Sequence, residues 1–291
     1  MGMNYRHAFH AGNFADVIKH IVLVRILTYL HGKPAPFRVL DSHAGAGLYD
    51  LTGEEATRGG EWLTGIARMM QARFTPETAE LVAPYLDIVR SFNPGRDLTA
   101  YPGSPLIARA LLRPQDRLVA CEIEPGAHRH LIEALRRDPQ SRVVDLDGWQ
   151  ALTAFLPPKE RRGLVVIDPP FEARDEFERL ASGFSAAFTK WPSGIYLLWY
   201  PIKSRRAAED LAANIARTLA SAPAQTDGLR IEFSVTPDTS APGLISAGLI
   251  VVNPPWTLTG EMKPILAALE KPLGLGGAGR YRIAQIGPTP A

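Results

Sequence analysis

Leu164-Val165-Val166-Ile167-Asp168-Pro169-Pro170-Phe171 is the segment of this 291-residue chain that is most informative about its architecture. Its four apolar, β-favouring residues show no polar alternation, which predicts a strand of a parallel sheet that is buried on both faces. Proline continues neither a strand ladder nor a helix interior, so Asp168 is expected at a stiff turn beyond the strand's carboxyl end. Ligands of open α/β sheets bind at that edge. The segment therefore predicts an α/β fold with a binding site around Asp168.

The tetrapeptide Asp-Pro-Pro-Phe suits the methylation of an exocyclic amino group. The adenine amine is a poor nucleophile, because its lone pair is delocalised into the ring. The carboxylate of Asp168 and the carbonyl of Pro169 can accept its two hydrogens, Pro170 completes the stiff turn, and Phe171 offers a face for base stacking. The four residues match the Asp/Asn-Pro-Pro-aromatic signature of amino methyltransferases that use S-adenosyl-L-methionine. A strand-ending turn with a capping aspartate is the structural alternative, and these four residues alone do not exclude it.

The composition is typical of a soluble globular protein with a substantial core, since 46% of the residues are hydrophobic and 21% are charged. Cys121 is the single cysteine, which excludes an intrachain disulfide and a cysteine-cluster metal site and fits a reducing compartment. The net charge of +2 permits a nucleic-acid partner without requiring one. We expect no signal peptide and no membrane-spanning segment, so the predicted location is the cytoplasm.

The first twenty residues carry a cluster of polar side chains. Asn13 is expected to cap a helix over residues 14–31, on which Asp16, Lys19 and His20 lie within one turn and can point at a common site. Five of the seven histidines fall in the first 43 residues, but no pair has the helical or finger spacing of a zinc site. We therefore predict a polar substrate or cofactor pocket here and no metal site.

A glycine-containing loop follows the predicted first strand, residues 37–40. The loop is Asp41-Ser42-His43-Ala44-Gly45-Ala46-Gly47, and its glycines let the backbone approach a ligand closely because they have no Cβ. A nicotinamide fingerprint would carry a third glycine, which is absent, so the loop is closer to the adenosylmethionine form. Glu122 ends the next strand, where an acid can accept both hydroxyls of a ribose. It follows the loop by far more than the usual distance of about twenty residues, and an inserted segment accounts for the excess.

The alternation of strands and helices predicts a Rossmann-like class I methyltransferase fold on a seven-stranded, mostly parallel sheet. Residues 1–53 would supply the N-terminal helix, the first strand and the cofactor loop. Residues 54–100 would form an inserted helical subdomain, and residues 101–291 the remainder of the methyltransferase domain. The Gly/Pro-rich tail from Lys271 is expected to be irregular or peripheral.

Three features stay open from spacing alone. Ser104 has the position of a helix cap. Asp147-Gly148 ends a further strand, where the acid could accept from an adenine amine or form a simple turn. Asn253-Pro254-Pro255-Trp256 repeats the Pro-Pro-aromatic pattern after the last strand, which is usually antiparallel in such folds. We therefore interpret this second copy as a structural turn away from the methyl donor.

Eight longer segments occur in an order that is far more specific than either short motif: YRHAFHAGNFADVIKH (5–20), DSHAGAG (41–47), YPGSPLIARALLR (101–113), CEIEP (121–125), DGWQAL (147–152), IDPPF (167–171), LLWYP (197–201) and VVNPPW (251–256). On these segments the chain resembles, along nearly its whole length, the bacterial RlmJ family, which N6-methylates one adenosine of 23S ribosomal RNA. The resemblance implies a methyltransferase with a small helical insertion. It also implies S-adenosyl-L-methionine as methyl donor and a monomer that acts on deproteinised or partly assembled RNA.

The resemblance assigns roles by matching position. The residues expected to line the S-adenosyl-L-methionine site are His20, His43, Ser104, Glu122, Asp147, Gly148 and Asp168, and those expected to meet the RNA are Tyr5, His7 and Lys19. Asp168 would also be the catalytic acceptor, with Pro169, Pro170 and Phe171 beside it. Phe171 is a departure, because many amino methyltransferases have tyrosine there. Stacking on the ring is retained, and a hydroxyl contact is lost.

The predicted reaction is direct transfer of a methyl group to adenosine N6, with basic residues at 159–162 and 203–206 guiding the RNA phosphates. DNA adenine methylation is an alternative, since it uses a related tetrapeptide. Protein glutamine methylation is disfavoured because those enzymes have asparagine at the first position. A non-catalytic RNA-binding module on the same fold is the alternative from a different class. The intact Asp168, glycine loop and Glu122 argue against it.

Overall fold

The computed structural model describes residues 6–222, 226–237, 241 and 243–287, so the predicted RNA contact Tyr5 lies outside the described residues. The strands are β1 (Arg38–Asp41), β2 (Leu48–Asp50), β3 (Ala100–Pro102), β4 (Arg117–Cys121), β5 (Ser141–Val144), β6 (Gly163–Ile167), β7 (Ile195–Pro201), β8 (Gly228–Ser234), β9 (Ser246–Val252) and β10 (Arg280–Ile286). The helices are α1 (Phe14–His31), α2 (Glu54–Gly59), α3 (Glu61–Thr64), α4 (Ile66–Gln71), α5 (Pro76–Ser91), α6 (Ser104–Ala110), α7 (Pro125–Ala134), α8 (Gly148–Ala154), α9 (Glu176–Lys190), α10 (Arg205–Ala220) and α11 (Leu258–Leu273).

Eight strands form one sheet in the order β10-β8-β9-β7-β6-β1-β4-β5, and β2 pairs separately with β3. The five neighbouring strands β7, β6, β1, β4 and β5 are parallel to one another. Strand β9 is antiparallel to both of its neighbours, β7 and β8, and β10 is antiparallel to β8. The chain runs outward from β1 through β4 to β5 and then returns to place β6 on the other side of β1. This order is the Rossmann-like arrangement of class I methyltransferases, and the predicted fold class is confirmed.

The predicted strand count of seven is one too low. Arg280–Ile286 pairs along its whole length with β8, although the tail from Lys271 was expected to be irregular or peripheral. Its alternation of exposed and less exposed residues is that of an edge strand with one face toward solvent. The glycines at 274, 276, 277 and 279 lie in the turn before this strand and mask its pattern in the sequence.

Helices cover both faces of the sheet. One core combines α1, α4, α5, α6 and α11 with alternate strand residues such as Leu164 and Val166. The other combines α8, α9 and α10 with Val165 and Ile167. Because successive side chains of β6 enter opposite cores, the strand has no polar face, as its unbroken apolar sequence predicts. None of the helices in the described ranges is long and apolar enough to cross a membrane.

Helix α1 begins and ends as predicted, and Asn13 caps it by accepting a hydrogen bond from the backbone N–H of Asp16 at 2.9 Å. The helix is buried on nearly all sides, including its polar residues Asp16, Lys19 and His20. A buried charge is costly unless it is paired, so these three residues must find partners inside the protein.

The segment 54–100 contributes α2 to α5, and apolar residues of α4 and α5 enter the same core as α1. The backbone N–H of Ile66 donates to the carbonyl of Gly12 at 2.8 Å. A Cβ on Gly65 would stand 2.1 Å from the same carbonyl oxygen, so this contact requires glycine. The segment therefore packs directly against the N-terminal residues. Its division from the rest of the chain at residues 53 and 100 stays a prediction.

The second Pro-Pro-aromatic copy lies at the opposite edge of the sheet from Asp168, because β9 is antiparallel to β7. The Asn253 amide donates to the carbonyl oxygens of Pro192 at 2.8 Å and Gly194 at 2.7 Å, just before β7 begins. Its backbone has φ +52°, whereas in the first copy the positive φ, also +52°, belongs to Phe171. The two copies thus form different turns, and the interpretation of the second as a structural turn is confirmed.

The basic segment 159–162 also lies at that opposite edge, since it leads into the start of β6. Five strand residues separate it from Asp168, which corresponds to roughly 16 Å. Arg162 donates to the carbonyl oxygens of Ala35 and Leu30, and Glu160 pairs with Arg38 at 2.9 Å. These contacts hold the loops below the sheet together, and the position argues against the predicted role in guiding phosphates.

Two glycine substitutions should have opposite effects on stability. A Cβ on Gly248 in β9 would stand 2.2 Å from the ring of buried Tyr200. Overpacking of this kind costs about 1–3 kcal/mol, so Gly248→Ala should lower the melting temperature. Gly260 in α11 is exposed, and an added methyl group would meet no described atom within 4 Å outside its own surroundings. Gly260→Ala should therefore stabilise the helix by about 0.5–1 kcal/mol. Calorimetric melting of both variants checks this, and an unchanged melting temperature for Gly248→Ala would contradict the packing described.

Candidate active site

A cavity of about 1250 Å³ lies at the carboxyl edge of β1, β4 and β6, between the loops that follow these strands and helices α1 and α7. The predicted site residues that line it are His7, Lys19, His20, His43, Ser104, Glu122, Gly148, Asp168, Pro169 and Pro170. Asp147 and Phe171 stand next to lining residues but do not line it. The return of the chain to β6 therefore brings together residues as far apart in sequence as His7 and Pro170.

The glycine loop after β1 is held against the end of β4. Gly45 has φ +64°, and its backbone N–H donates to a carboxylate oxygen of Glu122 at 2.8 Å. The other carboxylate oxygen accepts from the N–H of Glu124 at 2.7 Å. Burial raises the pKa of Glu122, and these backbone donors offset part of the rise. Each carboxylate oxygen can accept more than one hydrogen bond, so Glu122 retains capacity toward hydroxyl groups in the cavity.

Lys19 connects the N-terminal helix to Asp168. Its ammonium group donates to Asp168 at 2.5 Å and to Asp16 at 2.8 Å, and it is 4% exposed. Asp16 in turn contacts the His7 imidazole at 3.0 Å and accepts from the N–H of Gly12 at 2.9 Å. The expectation that Asp16 and Lys19 point at a common site is therefore confirmed, and that site includes the carboxylate of Asp168.

The charges of Asp16, Lys19 and Asp168 stabilise one another. Burial by itself would lower the pKa of Lys19, but the attraction of Asp16 and Asp168 outweighs it and raises that pKa above its ordinary value. Burial would raise the pKa of Asp16, yet Lys19 and His7 hold it well below its usual range. Lys19 is therefore a cation. It binds one oxygen of Asp168, Oδ2, and the other oxygen, Oδ1, accepts no hydrogen bond from any described residue.

His20 occupies a different wall of the cavity and is 1% exposed. Its Nδ1 is 2.7 Å from the hydroxyl of Tyr101, which is 2.9 Å from the hydroxyl of Tyr85. Its Nε2 is buried without a hydrogen-bond partner in the described part of the chain. Burial and the nearby Lys19 lower the pKa of His20 to about 3, so the imidazole is neutral. The two tyrosines were not singled out from the sequence, in which they resemble ordinary core aromatics.

Asp41, at the end of β1, is a buried carboxyl group beside the cavity-lining loop, and sequence reasoning did not assign it a role. It is 1% exposed, and neither carboxylate oxygen has a hydrogen-bond partner among the described residues. Burial raises its pKa to about 7, and the nearby Ser104 hydroxyl opposes part of that rise. The signal that could have found it is its position as the acid that opens the glycine loop.

The open interpretations of Ser104 and Asp147 are resolved by geometry. Gly103, not Ser104, is the N-cap of α6, so the capping interpretation of Ser104 is wrong; the serine is buried in the first turn and lines the cavity. Asp147 caps α8, because one of its oxygens accepts from the N–H groups of Trp149 at 2.9 Å and Gln150 at 3.2 Å. Its second oxygen is 4.0 Å from Arg179. The turn interpretation of Asp147 therefore describes the structure, although one oxygen is not used by the cap.

Gly148 brings the α8 loop into contact with the glycine loop. A Cβ there would stand 2.3 Å from the carbonyl oxygen of Ser42 and 2.4 Å from Nε2 of His43. The His43 imidazole packs edge-on against Trp149, at 4.9 Å between ring centroids, and burial lowers its pKa to about 4. A neutral imidazole and two backbone segments thus form one wall of the cavity.

Phe171 packs outside the cavity wall. Its ring meets those of Phe177 at 5.0 Å and Trp199 at 5.5 Å, both edge-to-face. The positive φ of this non-glycine residue marks a strained turn, which this aromatic packing holds in place. The Phe171 ring, on which a base is predicted to stack, therefore lies beside the cavity and not in it.

The residues present suit a ligand that combines hydrogen-bond donors and acceptors with an apolar part. Pockets for drug-sized ligands measure roughly 300–1,000 Å³, so this cavity has room for such a ligand and for one nucleobase. Nε2 of His20, on a side chain that lines the cavity, is buried without a hydrogen-bond partner among the described residues and could bond to a ligand. No group of three metal-ligating side chains that could hold an ion occurs within the described ranges.

Comparison with known proteins agrees with this geometry. The model of a family described as "Ribosomal RNA large subunit methyltransferase D, RlmJ" matches residues 34–286. Two relatives are each named "Ribosomal RNA large subunit methyltransferase J". The one from Escherichia coli K12 is 43% identical over 290 residues, which is 98% of this chain and 99% of the relative. The one from Haemophilus influenzae is 38% identical over 291 residues, again 98% and 99% of the two chains.

A solved structure has the same fold. The crystal structure of a Legionella pneumophila protein is 34% identical in sequence and superposes with a TM-score of 0.86. The match covers 95% of this chain and 98% of that one.

The raised pKa of Asp41 has a consequence for stability. An unfolded aspartate loses its proton near pH 3.9, whereas folded Asp41 keeps it until about pH 7, so this residue makes the wild-type protein less stable as pH rises through that window. Asp41→Asn should therefore gain stability over the wild type between about pH 4 and about pH 8, by up to roughly 4 kcal/mol. Urea denaturation at both pH values measures the difference.

Asp116→Asn is the matched control. Burial would raise the pKa of Asp116, but Arg113 and backbone donors lower it overall. This carboxylate therefore stabilises the fold above its unfolded pKa, and the contribution is lost on acidification. The Asp116→Asn variant should lose stability relative to the wild type as pH rises. A pH trend of the same sign in both variants would contradict the assignment for Asp41.

Proposed function

Because the chain belongs to the RlmJ family of ribosomal RNA large subunit methyltransferases, we propose that it transfers a methyl group from S-adenosyl-L-methionine to the N6 amine of one adenosine in 23S ribosomal RNA. The observation that supports this best is the arrangement of Asp168. Asp168 follows β6, which lies on the opposite side of β1 from β4 and β5, so the residue stands beside the glycine loop where the strand order changes side. Lys19 binds one of its oxygens. A carboxylate side chain with one oxygen available at a cavity wall is what an amine acceptor requires.

The chain's own residues act on the adenine amine. Asp168 and the carbonyl of Pro169 would accept its two hydrogens, which concentrates the lone pair on nitrogen. Lys19 holds Asp168 in position through the hydrogen bond from its ammonium group to one carboxylate oxygen. A strong base is not required, because the proton can leave after nitrogen has become cationic. When bound, S-adenosyl-L-methionine supplies an electrophilic methyl group.

We assign the methyl-donor site to the wall that carries His20, His43, Ser104, Glu122 and Gly148. Glu122 would accept hydrogen bonds from the hydroxyl groups of the ribose, because its oxygens lie beside the glycine loop and retain hydrogen-bonding capacity. His20 and His43 are neutral and would offer uncharged ring nitrogens. Asp147 has one oxygen beyond its capping bonds that can accept from an amino group.

The RNA side of the site would be formed by the N-terminal residues Tyr5, His7 and Lys19. The ammonium of Lys19 has three N–H donors, and Asp16 and Asp168 use two of them, which leaves one for the target nucleotide. The adenosine must leave its stack to enter the cavity, and this costs a few kcal/mol, less in a single-stranded loop. Deproteinised or partly assembled ribosomal RNA in the cytoplasm, acted on by a monomer, is the substrate state that fits such access.

Asp168→Ala should abolish methyl transfer. Removing one group that stabilises the transition state electrostatically typically lowers kcat by about 10²–10³-fold, and Asp168 would in addition position the amine, so the loss should be at least that large. The assay is transfer of a tritiated methyl group to deproteinised ribosomal RNA from a strain lacking the gene, followed by digestion to nucleosides. Label should appear in N6-methyladenosine with the wild-type protein and disappear with Asp168→Ala.

The matched control is Asn253→Ala, which alters the other Pro-Pro-aromatic turn at the opposite edge of the sheet. It should retain wild-type turnover at a temperature where it is folded. Methylation retained by Asp168→Ala, or lost equally in both variants, would contradict the assignment. Label in DNA but not in RNA would identify DNA as the substrate. If no methyl group is transferred and S-adenosyl-L-methionine is not bound, a non-catalytic RNA-binding module would be favoured.

RNA affinity should depend on the basic residues at the cavity edge of the sheet. Lys203 and Arg206 are exposed after β7, and Lys203 is close enough to His10 to influence its pKa. Lys159 and Arg161 are exposed at the opposite edge. Replacing Lys203 and Arg206 by alanine should reduce the slope of log affinity against log salt by about 1.4 for single-stranded RNA, since each phosphate contact contributes about 0.7. The Lys159/Arg161 double variant should keep the wild-type slope, and equal slopes for the two double variants would contradict this placement.

A further inference from the structure

The hydroxyl groups of Tyr85 and Tyr101 form a buried chain that ends on His20. The three side chains come from α5, β3 and α1, and each is at most 1% exposed. The His20 and Tyr101 rings stack at 5.6 Å with an interplanar angle of 28°, which also sets the plane of the imidazole. The far nitrogen of that imidazole, Nε2, is buried, has no partner among the described residues and belongs to a side chain that lines the cavity.

We propose that Tyr85 and Tyr101 are positioning residues that hold His20 in the tautomer with its proton on Nε2, so that the imidazole presents an N–H donor to an acceptor oxygen of the bound methyl donor. The second half of this proposal rests on the proposed function. Neither tyrosine lines the cavity, so both act through His20.

The tautomer follows from counting donors and acceptors. If Tyr85 donates to Tyr101 and Tyr101 donates to Nδ1 of His20, both hydroxyl protons are bonded and the imidazole proton must sit on Nε2. If instead Nδ1 donates to Tyr101, one of the two hydroxyl protons has no acceptor among the described residues. The first arrangement also leaves one donor unbonded, the N–H on Nε2, but His20 lines the cavity, where a ligand oxygen can accept from it, whereas neither tyrosine lines the cavity. A buried donor that no ligand can reach is the costlier of the two, so the first arrangement is favoured.

The charge state of His20 makes the tautomer matter. Burial and the ammonium of Lys19 keep the imidazole neutral, as described above, so one of its nitrogens is a donor and the other an acceptor. In the favoured arrangement the cavity meets a donor. A ligand oxygen, such as that of a carboxylate, would bond to it, whereas a ligand N–H would meet no acceptor there.

The hydrogen bonds from Tyr85 through Tyr101 to His20 also connect the segment 54–100 to the site. Tyr85 lies on α5 within that segment, and its side chain is fully buried against the core that contains α1. The segment thus contributes the hydroxyl group at the far end of this hydrogen-bonded series, in addition to packing against the N-terminal residues.

The test begins with the ring state of the protein without ligand. Nitrogen NMR of ¹⁵N-histidine-labelled protein distinguishes the two neutral tautomers, and the His20 signals are identified by their absence from His20→Gln. The wild type should show the proton on Nε2. Tyr101→Phe should lose this preference, and its dissociation constant for S-adenosyl-L-methionine, measured by calorimetry, should rise about ten-fold, as expected for one hydrogen bond.

Tyr196→Phe is the matched control for the loss of a buried hydroxyl. That hydroxyl donates to the carbonyl oxygens of Ala187 and Trp191 in the other core, so the variant should leave the His20 tautomer and ligand affinity unchanged. At position 20 itself, glutamine places an amide N–H₂ near the site of Nε2, whereas asparagine is too short to do so. His20→Gln should therefore bind the methyl donor more tightly than His20→Asn.

The outcomes separate this proposal from the proposed function. A proton on Nδ1 in the wild type, or an unchanged tautomer and affinity in Tyr101→Phe, would overturn the positioning role even if the wild type binds S-adenosyl-L-methionine and methylates RNA. A wild type that fails to bind S-adenosyl-L-methionine would overturn the proposed function and the ligand half of this proposal. The NMR result would still decide whether the tyrosines set the tautomer.

Discussion

The ammonium group of Lys19 has to be neutralised inside the protein, and much of the site follows from that requirement. Helix α1 is buried on nearly all sides, so a charge on it has no access to bulk water. Asp16 on the same helix and Asp168 at the end of β6 provide the opposite charges. Removing one partner of a buried pair leaves an uncompensated charge, which is strongly destabilising. The ion pair thus joins the N-terminal segment to the strand that carries the proposed catalytic carboxylate.

The other site residues depend on how the loops are brought together at one edge of the sheet. Parallel strands place their carboxyl ends side by side, so Asp41, Glu122 and Asp168 converge although they are far apart in sequence. The antiparallel insertion of β9 reverses this logic for Asn253 and moves it to the opposite edge. The two copies of the tetrapeptide pattern therefore lie at opposite edges of the sheet, and only the copy with Asp168 contributes to the cavity wall.

Packing around the edge determines which atoms remain available. Gly45 and Gly148 allow backbone segments to approach Glu122 and His43, and these contacts shape the cavity wall. The helical segment 54–100 supplies the Tyr85 hydroxyl behind His20. Asp147 satisfies the N–H groups at the start of α8 with one oxygen, and its other oxygen lies 4.0 Å from Arg179.

The local pattern of the sequence was sufficient for the central strand, for the capped helix from Phe14 to His31, and for the proposed acceptor Asp168, because each depends on short-range preferences of neighbouring residues. Strand β10 was missed, since the glycine-rich turn before it hides a weak edge-strand alternation, and the sequence left Ser104 open between a helix cap and a site residue. The partners of Lys19, the buried Asp41 and the Tyr85–Tyr101–His20 chain were decided by the tertiary structure alone. They arise from contacts between elements distant in sequence, and no local spacing encodes which buried polar groups will meet.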